Sequence, residues 1–100
     1  MALYEPGCRL VRRDGSVAVG HVEIRVVLGR LVEMRPAFQI EVAKVVEAGD
    51  DLALVYNDWS LTATGPDGSP FPAAGKAIEI VRRRPNGTWR LAVDDPFARG

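Results

Sequence analysis

One hundred residues, 47% apolar and 26% charged, form an ordinary globular composition, too short for two domains and too apolar for a disordered chain. Thirteen basic residues cancel thirteen acidic ones, which argues against the clustered positive charge of a nucleic-acid binder. Cys8 is alone, so no intrachain disulfide and no cysteine-based metal site can form. No apolar run reaches membrane-spanning length and the N-terminus lacks a signal-peptide pattern, so the default expectation is a cytoplasmic protein with no membrane partner.

In chain order, the first element is a hairpin. Asp14-Gly15 separates Cys8–Arg13 from Ser16–Val19, and Asp-Gly readily takes the positive φ angles of a tight turn. Cys8, two residues before Leu10, reads as a small buried apolar side chain. A helix is expected over His21–Met34, because Ile24, Val27, Leu28 and Leu31 recur at helical spacing and Pro36 ends it. The β-branched residues Val22, Ile24, Val26 and Val27 favour a strand instead, but no period of two explains apolar residues at 27, 28, 31 and 32.

Four long strands follow. Gly49-Asp50-Asp51 separates Phe38–Glu47 from Leu52–Thr64, and Asn86-Gly87 separates Lys76–Arg84 from Thr88–Asp95. Three such turns imply at least six strand segments, largely antiparallel. Alternation puts Phe38, Ile40, Val42 and Val46 on one side of their strand. Val55, Trp59 and Leu61 share a side with Asn57, while Tyr56 and Asp58 point the other way. Both faces of several strands carry apolar residues, so a helix is expected over one and a partner over the other. Gly65–Gly75, with Pro66, Pro70 and Pro72, reads as a long loop, and the basic run Arg82-Arg83-Arg84 as a solvated strand end.

The order of these elements resembles the later part of the cone-shaped fold shared by nuclear transport factor 2, ketosteroid isomerase and SnoaL-like cyclases. The wording agrees locally. Ala2-Leu3-Tyr4-Glu5-Pro6-Gly7-Cys8 is similar to the family's exit from its second helix into the first strand. Gly20-His21-Val22-Glu23-Ile24 resembles its helix start, and Leu54-Val55-Tyr56-Asn57-Asp58-Trp59 with Gly75-Lys76-Ala77 its middle strands. Arg82 to Arg90, then Asp94-Asp95-Pro96-Phe97, resembles the last hairpin of a SnoaL-like subgroup. The resemblance implies an α+β domain, a strongly curved, mainly antiparallel sheet of about six strands on one helix. Family members normally begin with a long helix that closes the cone, and Met1 stands where the second helix should be ending. Either the gene starts upstream or the cone is open, and an open cone would self-associate to cover its apolar face.

Enzymes of this type use a carboxylate as proton shuttle, with Tyr, Asp or His donors in an apolar surround and no cofactor. By that analogy the catalytic candidates are Asp58 with Tyr56 beside it, and Asp94; His21, Trp59, Glu79, Ile24 and Leu28 are the expected pocket residues. Bland alternatives stand beside them. Asp58 and Tyr56 could form an interface contact, His21 could sit at the helix surface, Asp94-Asp95 could shape a turn, and Glu79 could make a cross-strand ion pair with Lys76 or an Arg. Two functions follow: binding and acid–base isomerisation or cyclisation of a small apolar molecule, or non-catalytic association through the sheet.

Overall fold

The computed structural model describes residues 3–100. Its elements run β1 (Tyr4–Val11), β2 (Val17–Val19), α1 (Gly20–Glu33), β3 (Ala37–Glu47), β4 (Leu52–Thr64), β5 (Pro70–Arg83) and β6 (Trp89–Asp95). The strands form one six-stranded sheet in the order β2-β1-β6-β5-β4-β3. Every pairing is antiparallel except β1 with β6, which is parallel. The sheet is curved and does not close into a barrel, as the sequence led us to expect.

The turn residues act as expected. Gly15, Gly49 and Gly87 take φ of 87°, 76° and 86°, a region that costs L side chains but not glycine. The helix occupies the stretch that its 3.6-residue spacing indicated, one residue earlier at each end. Glu23 reaches back to accept the N–H of Val19, satisfying one of the donors that a helix start leaves open. Helix α1 lies on β1 and β2, where Ile24 packs fully buried against Cys8, Leu10 and Ala18. Among the described residues no helix is long and apolar enough to cross a membrane.

Three local expectations fail for identifiable reasons. The first strand starts at Tyr4, ahead of the expected Cys8, because β1 finds its partner in β6, over eighty residues away. Gly65–Gly75 is not a long loop: the turn spans only Gly65 to Ser69, and Pro70 and Pro72 pair with Thr64 and Thr62. Prolines fit there because β6 pairs with β5 only from Ile78 onward, so the missing N–H groups face no neighbouring strand. Val46 does not share a side with Val42. The β3–β4 register slips between Val42 and Lys44, which moves the later residues of β3 out of phase.

Candidate functional site

Curvature gathers one face of β4, β5 and β6 and the inner side of α1 around a hollow of about 610 Å³. Its walls are apolar, with Leu28 and Leu31 from the helix facing Trp59 and Leu61 from β4. Two carboxylates stand inside it. Glu79 on β5 and Asp94 on β6 are directly opposed in the antiparallel register, which sets their Cβ atoms about 5 Å apart. A like-charge pair at such a position is destabilising when both groups ionise. Among the described residues each carboxylate has one polar side-chain partner: Asn57 Nδ2 donates to Glu79 Oε1 at 2.5 Å, and Tyr4 Oη donates to Asp94 Oδ2 at 3.1 Å.

The electrostatics follow from this enclosure. Burial, then the charge of Asp94, pushes the Glu79 carboxyl up to about 7, with the Asn57 hydrogen bond opposing them. Burial also raises Asp94, while the Tyr4 hydroxyl acts against the rise. The two carboxyl groups are raised together in one enclosure, so the proton they hold belongs to the pair. Tyr4 is raised by burial and by Asp94, which keeps its hydroxyl a donor throughout the neutral range. A carboxyl group that titrates near neutrality in an apolar hollow is equipped for general acid–base work. A second hollow of about 630 Å³, at the far end of β3 to β5, is lined by Ala, Phe, Gln, Ser, Leu, Thr and Pro side chains and holds no titratable group.

Among solved structures, the chain is similar to a ketosteroid isomerase-like protein from Erwinia carotovora atroseptica. The two share 26% identity and a TM-score of 0.82, over 94% of this chain and 74% of that one. A nuclear transport factor 2-like superfamily protein from Salmonella enterica matches at 19% identity and TM-score 0.76, over 98% and 75%. The chain has the nuclear transport factor 2-like fold. A calcium/calmodulin-dependent protein kinase II association domain described from Xanthomonas campestris shares this fold at 18% identity and TM-score 0.81, over 99% and 72%. No protein-family model and no curated protein matches the sequence.

Within this nuclear transport factor 2-like domain the candidates named from sequence separate. Asp94, Glu79, Trp59 and Leu28 line the hollow together. Glu79 does not form the cross-strand ion pair expected of it, because its neighbours in register are Val55 and Asp94, and Asp94 lies in a strand, not a turn. Tyr56 and Asp58 occupy the opposite face of β4, where Arg99 donates to Asp58 Oδ1 at 3.0 Å and its guanidinium stacks on the Tyr56 ring. They do not line the hollow. His21 and Ile24 do not line it either: His21 Nε2 lies 2.9 Å from the Tyr4 carbonyl oxygen, and Ile24 is core.

Two participants were missed. Tyr4 stood ahead of the expected first strand, in the run read as the exit from a helix, and its position depends on a parallel pairing that no local pattern reveals. Asn57 did leave a signal. It is an amide amid Val55, Trp59 and Leu61 on an apolar strand face, it is buried, and a buried amide needs a partner.

Proposed function

We propose that the domain binds a small apolar carbonyl compound in the hollow and moves a proton on it without a cofactor. The observation that carries this reading is the opposed Glu79–Asp94 pair inside apolar walls. In the reaction, ionised Glu79 takes a proton from the carbon next to the carbonyl. The electron pair left behind moves into an enolate, and the proton returns to a different carbon. The Tyr4 hydroxyl, now turned to Asp94, is the donor able to meet the enolate oxygen. The likeness to a ketosteroid isomerase-like protein supports the same chemistry. The test is deuterium uptake from D2O into a panel of cyclic and aromatic ketones, followed by NMR. Exchange should rise with pH through a midpoint near 7, the value to which Glu79 is raised. A panel showing no uptake above the buffer rate overturns the proposal.

A second reading, association of copies of the chain through the sheet, has its own support. Strand β3 is one edge of the sheet and is exposed along its whole length, with Ile40 65%, Val42 58% and Val45 55% accessible. An open strand edge with large apolar side chains invites pairing, and the association domain of similar fold supports it. Sedimentation velocity at micromolar concentration should show a dimer or larger species. A stable monomer there removes this reading and leaves the chemistry untouched.

A further inference from the structure

The hollow is acidic at its floor and basic at its mouth. Arg12 and Arg13, just past the end of β1, line the same hollow as Glu79 and Asp94. Leu10 is the residue of β1 in register with Asp94, so Arg13 stands three residues further on, about 10 Å along the strand direction at 3.3 Å per residue. The Arg13 guanidinium is stacked 5.0 Å from the centroid of the Phe97 ring. Phe97 is itself braced edge-on against Trp59, with ring centroids 5.4 Å apart.

Such stacking fixes the plane of a guanidinium and leaves its edge, with its N–H donors, open. Arg12 gives one donor to Ser16 Oγ at 3.3 Å and keeps the others. Neither arginine is ion-paired among the described residues, whose salt bridges are Arg82–Glu5 and Arg99–Asp58. Two guanidinium groups without an ion-pair partner thus line an apolar hollow whose other charged groups, Glu79 and Asp94, are acidic.

We propose that Arg12 and Arg13 form an anion-recognising mouth, and that the ligand is an apolar molecule carrying a carboxylate about 10 Å or less from the carbon that reacts. The proposal rests on the hollow being a ligand site, as argued above. A carboxylate suits the site because a planar anion matches the guanidinium fork. Entering floor-first, it would meet the negative pair instead of the arginines, so the charge polarity also fixes the ligand's orientation. The apolar end goes to Glu79 and the charged end stays at the mouth.

The test compares three probes by fluorescence or calorimetric titration at pH 6 and low salt: 2-naphthylacetic acid, its methyl ester, and 2-(2-naphthyl)ethylamine. The acid should bind at least tenfold more tightly than the ester. That ratio should fall to about one in the Arg12→Gln/Arg13→Gln double variant and recover in part in Arg12→Lys/Arg13→Lys. Equal affinities for acid and ester, or a ratio that survives the Gln substitutions, overturns the mouth and leaves the hollow standing as a binding site. Preference for the amine overturns it too, since recognition would then belong to Glu79 and Asp94. Failure of all three probes to bind overturns both this inference and the reading on which it rests.

Discussion

Glu79→Gln is expected to lower ketone proton exchange by about 10²- to 10⁴-fold, the usual contribution of a positioned general base, while making the folded domain more stable above pH 7. The two effects have one cause. The Glu79 carboxyl is raised from its ordinary value of 4.5 to about 7 by burial and by Asp94, so the folded state holds a proton that the unfolded chain would release. Its contribution to stability is therefore fully present below pH 4.5 and is lost as pH rises to 7. Above that, the folded protein carries two opposed, half-buried negative charges.

Glutamine keeps an oxygen for the Asn57 amide and never ionises, so it removes the charge without removing the partner. The hydrogen bond is retained. Allowing for partial solvent access, the variant should gain on the order of 1–2 kcal/mol over the parent at pH 8 and little at pH 4.5. Urea unfolding at the two pH values measures this. Asp14 and Asp67, each held below the usual carboxylate range by a serine, act in the opposite sense but only below about pH 4, outside that window. A variant with unchanged stability at pH 8 would mean that Glu79 and Asp94 are not strained together. Loss of exchange alongside gain of stability is the signature of a group kept for chemistry.

How much of this was legible in the sequence depended on the range of the interaction concerned. Turns at Asp14-Gly15, Gly49 and Asn86-Gly87, the spacing of Ile24, Leu28 and Leu31, and the alternation in β4 are local signals, and each had a physical reading. The site itself depends on two facts that are not local. One is the parallel partnership of β1 with β6, which brings Tyr4 to Asp94 across ninety positions. The other is the face of β4 that turns inward. Alternation divided Trp59 from Asp58 correctly but could not say which side was concave, because both sides carry aromatic and polar residues. The decision lies in Arg99, which fixes Tyr56 and Asp58 to the outer face from the chain's last turn. Prolines misled for a similar reason. Pro70 and Pro72 signal a loop unless the neighbouring strand is known to stop short of them.

Gly75→Ala is the substitution expected to damage the fold most for its size. Gly75 lies opposite Trp59 in the β4–β5 register, and a Cβ there would stand 2.7 Å from the Pro96 carbonyl oxygen and 2.8 Å from Cε2 and Cζ2 of Trp59. Neither neighbour can give way alone. Trp59 Nε1 donates to that same carbonyl at 2.8 Å, its ring supports Phe97, and Phe97 carries Arg13. Beyond Phe97, the chain is tied to β5 through the Lys76 carbonyl and the N–H of Arg99, and Arg99 clamps the outer face.

One methyl group therefore either levers Trp59 off the hollow wall or lifts residues 96–100 from the sheet. Overpacking of this kind costs about 1–3 kcal/mol, and each kilocalorie lowers Tm by about 4–8 °C in a domain of this length. A Trp89→Phe background leaves Trp59 as the only tryptophan. There, Gly75→Ala should shift its emission to the red and make cleavage of the C-terminal segment by protease much faster. Unchanged melting and emission would mean that the 96–100 segment does not dock on Trp59. The aromatic brace holding Arg13 at the mouth would then be lost, whereas the Glu79–Asp94 pair, set by strand register alone, would stand.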